Sequence, residues 1–184
     1  MRLLVNMKRI CVYCGSTSGH DPRYREIAYQ FGQTLVEEGY ELVYGGGRKG
    51  LMGSVADGVL QAGGIAIGIV PTIFSEEIIQ EGLSELYRVS SMHARKEMMC
   101  SLSDGFVALP GRYGTLEEII EMTTWAQLGL HGHPCGLLNI ANYFDGLLSL
   151  LDRGGIGGFY RSEIQRDAPR FGYPERYITT YSGL

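Results

Sequence analysis

Nothing in this chain is long and apolar enough to read as a membrane span. The stretch from Met1 to Val12 has two short apolar patches, split by Asn6 and Lys8, and so lacks the unbroken core of a secretory leader. A cytoplasmic location is the expectation. Charge is in short supply as well. A net −4 over 184 residues argues against a broad nucleic-acid or anionic-membrane footprint. Lysine is scarcer still. Lys8, Lys49 and Lys96 are the only ones, and none stands in a recognisable pyridoxal-phosphate setting, so Schiff-base chemistry has little to rest on. The four cysteines do not compose a metal site. Cys11 and Cys14 lie three apart on an expected strand, which turns them to opposite faces, and no second cysteine pair or spaced histidine pair completes a zinc set. His131 and His133 share a loop containing Gly and Pro, without a third ligand.

What the chain has is glycine, 27 of them, many at expected strand ends, and a hydrophobic share of 45% that supports a real core. Residues 1–184 read as a single α/β domain. Apolar runs over Arg9–Cys14, Tyr40–Tyr44, Ile65–Val70, Leu86–Val89, Gly105–Leu109 and Gly136–Ile140 predict strands. Helical patterns fall between or after them, over Asp21–Glu38, Leu51–Ala62, Met92–Leu102, Thr115–Leu128 and Tyr143–Leu151. Continuous rather than alternating apolar strands, interleaved with helices, predict a doubly wound, Rossmann-like parallel sheet covered on both faces. Met122 and Trp125 are core candidates of the fourth helix. From Asp152 onward periodicity fades, and 152–184 reads as a loose C-terminal arm.

Ligands in such folds sit at the carboxyl ends of the strands. Three segments there carry chemistry. Leu109-Pro-Gly-Arg-Tyr-Gly-Thr-Leu-Glu-Glu118 leads from a strand into a helix start, whose free amides and dipole suit a phosphate. Glu117 and Glu118, expected in the first turn of that helix, are about 100° apart, so one of them faces the cleft. Gly45-Gly46-Gly47-Arg48-Lys49-Gly50 is a second candidate phosphate loop, or an ordinary strand-to-helix turn; it is not a Walker A sequence. Met92-His93-Ala94-Arg95-Lys96 sets two cations near a helix start, against the dipole, which suggests a task with an anion or a polarised base.

Taken in order, these segments resemble a known family. Residues 109–118 are similar to the P-G-G-x-G-T-x-x-E signature of the LOG ("Lonely guy") family of cytokinin riboside 5′-monophosphate phosphoribohydrolases, often labelled lysine decarboxylases. Met92–Lys96 resembles that family's M-H-x-R-K. Val43–Gly47 and Trp125–Gly129 also look like family segments, and the likeness spans roughly Lys8 to Arg153. The resemblance implies hydrolysis of the N-glycosidic bond of AMP or an N6-modified AMP, without metal or organic cofactor, by a homodimer. It matches Arg95 and Glu118 to a catalytic pair. It matches Glu77, Met92, Lys96, Gly111, Arg112, Tyr113, Gly114, Thr115, Leu116, Glu117 and Thr123 to substrate-contacting positions. Arg112 departs from the pattern, which has glycine there. If that position needed positive φ or a bare backbone beside phosphate, an arginine would be strained and its side chain could fill the pocket, leaving a nucleotide-binding protein without turnover; alternatively its side chain could add a charged phosphate contact.

Overall fold

The computed structural model describes residues 9–158, 164–165 and 178–181. Eight parallel strands form one sheet in the order β4-β3-β2-β1-β5-β6-β8-β7. They are β1 (Arg9–Tyr13), β2 (Glu41–Tyr44), β3 (Ala66–Pro71), β4 (Glu85–Val89), β5 (Gly105–Ala108), β6 (Cys135–Leu138), β7 (Ile164–Gln165) and β8 (Ile178–Tyr181). The helices are α1 (Pro22–Glu37), α2 (Gly50–Gln61), α3 (Met92–Ser101), α4 (Tyr113–Gln127) and α5 (Asp145–Ile156).

Local chemistry explains the boundaries. Asp21 caps α1 by accepting from the Arg23 amide at 2.9 Å, Pro22 opens the helix where no N–H is needed, and Gly39 follows its end at φ 80°. Strand side chains then sort by parity. Ile10 and Val12 face a layer built from α1 and α2, with Phe31, Leu35, Leu51, Val55 and Val59. Cys11 and Tyr13 face the opposite layer, with Met99 of α3, Ile119 and Met122 of α4 and Leu148 of α5. Each fully buried Leu, Ile or Val contributes about 1.5–3 kcal/mol. Cys14 packs against the first layer and Cys11 in the second, opposite faces as their spacing requires.

Strands β1, β2, β3, β5 and β6 are buried almost throughout, whereas the first four residues of β4 are exposed because it forms the sheet edge. Not every glycine serves a strand end. Gly32 and Gly58 sit inside α1 and α2, where a Cβ would meet the facing helix backbone at 2.3 and 2.1 Å, so the two helices cross at close range. The expected loose arm from 152 is corrected in part. α5 continues through Ile156, and residues 178–181 pair in parallel with β6. The remainder of 152–184 lies outside the described residues. Among the described residues no helix is long and apolar enough to cross a membrane.

The chain winds outward from β1 to β4, then returns to place β5 on the other side of β1. The crevice belongs at that reversal, where the loops after β1 and β5 part.

Candidate active site

Two turns bring the site together. After β2, Gly45 lies against the Arg95 side chain; a Cβ there would come within 2.0 Å of Nη2. Gly46 takes φ 72°, and its carbonyl accepts from the Gln80 amide at 2.9 Å. Gly47 bridges to Ile79, and the Arg48 amide donates to the Ile78 carbonyl at 2.9 Å. The turn is thus engaged with the 3₁₀ turn Glu76–Ile78, on which Glu77 is exposed. After β5, Gly111 passes so close to β1 that a Cβ would lie 2.1 Å from Thr115 Oγ1 and 3.0 Å from the Gly15 amide. Tyr143 donates to the Gly111 carbonyl, and the Gly15 amide to the Pro110 carbonyl at 3.0 Å.

Helix α4 begins at Tyr113, earlier than expected, because Arg112 serves as N-cap in extended backbone. Gly114 and Thr115 are therefore helical, and Glu117 and Glu118 fall beyond the first turn, away from the helix end. Arg112 has φ −98° and ψ −163°, ordinary for an L-residue, so the position demands no glycine and the feared strain is absent. The crowded position is Gly111. The Arg112 side chain gives no cap bond and its carbonyl takes the Thr115 and Leu116 amides at 3.0 and 3.3 Å, which leaves the Tyr113 and Gly114 amides for an incoming anion.

The two carboxylates diverge as their spacing requires. Glu117 is exposed and takes the Lys96 ammonium, which also meets Glu121 Oε2 at 3.0 Å. Burial works against the Lys96 charge, but the hydrogen bonds it donates to Glu117 and Glu121 outweigh it and lift the ammonium above its ordinary range. Glu118 is only 8% exposed. Burial pushes its carboxyl up to about 7, with nearby Arg95 pulling back. Arg95 Nη1 stands 3.9 Å from Glu118 Oε1, too far for a hydrogen bond. Arg95 Nη1 also approaches Met92 Sδ at 3.8 Å, and its Nε is buried without a partner. A buried donor with nothing to bond, beside an acid that titrates near neutrality, is the arrangement of a site awaiting a polar ligand.

The other expected residues scatter around this pair. Thr115 is buried under Gly111, Leu116 packs into the α3–α4 layer, and Tyr113 is 90% exposed. Thr123 is buried with its hydroxyl donating to the Ile119 carbonyl at 2.8 Å. Met122 is fully buried and Trp125 packs beside it. His131 Nε2 contacts the Met122 carbonyl at 2.9 Å and its ring lies on Phe106 and His133. Among the described residues no group of three or more His, Cys, Asp or Glu could hold a metal. The sequence reading missed Glu121, although its i, i+4 spacing from Glu117 puts both on one helix face.

Comparison with known proteins identifies the family. A family model described as possible lysine decarboxylase matches residues 52–168. Cytokinin riboside 5′-monophosphate phosphoribohydrolase LOG7 of Arabidopsis thaliana is 50% identical over 160 residues, which cover 86% of this chain and 74% of that protein. The chain belongs to the LOG family. Within it, the LOG protein of Oryza sativa subsp. japonica is 46% identical, covering 86% of this chain and 66% of its own length. The X-ray structure of TM1055 superimposes on the family fold seen here with a TM-score of 0.66 and 25% identity, over 95% of this chain and 91% of that one.

Proposed function

We propose that this chain hydrolyses the N-glycosidic bond of adenosine 5′-monophosphates, including N6-modified ones, releasing free base and ribose 5-phosphate. The observation that carries the reading is Glu118, buried with a carboxyl near 7, across a 3.9 Å gap from Arg95. When the C1′–N9 bond breaks, its electron pair leaves with the purine and positive charge builds on the ribose. The Glu118 carboxylate stabilises that charge and takes one proton of the water that adds to C1′, and that proton passes on to the departing base, which regenerates the carboxylate and releases neutral purine. The Arg95 guanidinium faces the departing base and balances the electron density it carries away. The open amides at the start of α4 hold the 5′-phosphate, whose binding energy orients the sugar. Met92 approaches Arg95, Lys96 anchors Glu117 beside Glu118, and Glu77 and Thr123 are further substrate-contacting positions of this reading.

Pyridoxal-phosphate chemistry fits these residues poorly. Lys96 is held as an ammonium between two carboxylates, whereas an internal Schiff base needs a neutral amine. Further parts of the reading are a cytoplasmic location and a homodimer. Exposed Leu128 and Leu130, at 69% and 67%, are apolar surface a second copy could cover. Light scattering on the purified protein checks the dimer.

The direct test is incubation with isopentenyladenosine monophosphate and with AMP, followed by chromatography of the released base. Free isopentenyladenine or adenine is the expected product. Absence of base from both this chain and its Arg112→Gly variant would remove the reading.

A further inference from the structure

Outside the Arg95–Glu118 pair, one recess combines a cavity with unused charge. It encloses about 180 Å³ between the loop after β1 and the turn after β5, lined by Thr17, Ser18, Gly19, Leu51, Gly111 and Arg112 among others. Arg112 is exposed at its rim, and Nη2 reaches Ser16 Oγ at 3.4 Å, the long limit of a hydrogen bond. Among the described residues Arg112 meets no carboxylate, whereas Arg9, Arg23, Arg48, Arg88, Arg95 and Lys96 each do. Lys49 has none either. It precedes Gly50, whose backbone backs directly onto Ser16 and Thr17; a Cβ on Gly50 would lie 2.3 Å from each. Arg112, without a carboxylate partner, thus stands beside a loop of three consecutive hydroxyl residues, Ser16, Thr17 and Ser18. The Tyr143 hydroxyl is committed to the Gly111 carbonyl and does not compete.

We propose that Arg112 is a specificity-determining residue: its guanidinium closes from the rim of this recess onto the phosphate monoester of the ligand, together with the Ser16–Ser18 hydroxyls, so that phosphorylated sugars are selected by a full charge as well as by backbone amides. The inference rests on the nucleotide reading above for where the phosphate lies. The chemistry matches the parts. A planar guanidinium presents paired donors to two phosphate oxygens, and a phosphate monoester at neutral pH carries nearly two negative charges. The weak bond to Ser16 holds the side chain near its working place without a carboxylate to be displaced. Its ordinary backbone means the arginine can be kept without a folding cost.

Titration calorimetry with ribose 5-phosphate, which has the phosphate but no base, tests this on the full chain and on Arg112→Gly, Arg112→Gln and Arg112→Lys. The glycine and glutamine variants are expected to bind about tenfold more weakly than wild type, with the lysine variant between wild type and these two. Raising salt should weaken the wild type more than Arg112→Gln, which keeps the bulk but not the charge. Binding within twofold of wild type by both neutral variants, with unchanged salt dependence, overturns the proposal. So does failure of the wild type to bind ribose 5-phosphate at millimolar concentration. Charge-dependent binding without base release from nucleotides would sink the hydrolase reading and leave this one standing; base release with an indifferent Arg112 would do the reverse.

Discussion

In the turn after β2, Gly45, Gly46 and Gly47 are each hemmed in; an added Cβ would meet Arg95 at 2.0 Å, Val70 at 2.4 Å and Met52 at 2.8 Å respectively. In the turn after β5 the crowding is confined to Gly111, and Gly114 has nothing within 4 Å. The two segments look alike as strings of glycine, but one uses the missing side chains to seat a guanidinium. The other clamps one glycine against β1 and launches the helix that bears Glu118. One turn seats Arg95 of α3 and the other launches the helix of Glu118. That division can be broken member by member.

The largest effect is expected at the carboxylate. Glu118→Gln should lower kcat by about 10³-fold, within the usual worth of a general acid or base. Wild-type turnover should fall as pH drops below about 7, where the carboxylate is lost, while the variant's residual rate should show no such inflection. Stability moves the other way. The folded carboxyl titrates near 7 against an ordinary 4.5, so the native state holds its proton longer than the unfolded chain and stability declines as pH rises from about 4.5 to 7. Glutamine removes that decline. Melting at pH 8 should show the variant more stable by about 1–3 kcal/mol, an upper range because Arg95 loses its partner. A variant no more stable at pH 8 than at pH 5, relative to wild type, would contradict the buried, proton-holding carboxyl.

Gly45→Ala comes next, and it is the cleanest probe of the first turn. The atom in the way is the tip of a flexible side chain, so Arg95 swings aside and the fold survives. A misplacement on the order of 1 Å can cost ~100-fold in rate. Kinetics should show that loss while the melting temperature moves little. Unchanged kcat would mean Arg95 has no fixed station.

How much of this was legible beforehand depends on range along the chain. The doubly wound sheet followed from apolar runs and helical periods, which are local signals, and the ends of most elements fell within a residue or two. The two glutamates could be told apart as facing different ways by their 100° spacing, but not which faced Arg95. That depends on Gly45 and Met52 around the guanidinium, contacts some 50 residues away in sequence. Likewise the start of α4 was misplaced because Gly114-Thr115 reads as a turn, and only the extended Arg112 shows the helix opening earlier. Gly45–Gly47 read as phosphate-loop candidates because bare backbone has the same sequence signature whether it faces a ligand or a packed side chain.

Gly111→Ala should separate the two turns by what it damages. Its Cβ would strike Thr115 and the Gly15 backbone, neither of which can retreat without moving β1 against α4. Overpacking of this kind costs about 1–3 kcal/mol, read as a lower denaturation midpoint. Gly45→Ala should show nothing of that size. Equal destabilisation by both would erase the distinction between a seat for a side chain and a clamp between strands.

Gly114→Ala should be the smallest change and the most telling about the open side. The position is helical with negative φ and no neighbour, so alanine should stabilise by about 0.5–1 kcal/mol through helix propensity and a stiffer unfolded chain. The amide remains, so phosphate held through backbone donors at the start of α4 would still find it. The new methyl occupies only the space in front of that amide. A stabilised protein with kcat/KM within threefold would mean the ligand approaches along the amides without filling that space. A stabilised protein with kcat/KM reduced tenfold or more would mean the sugar or its phosphate lies directly over Gly114, so that this turn keeps one glycine for the fold and the other for the ligand.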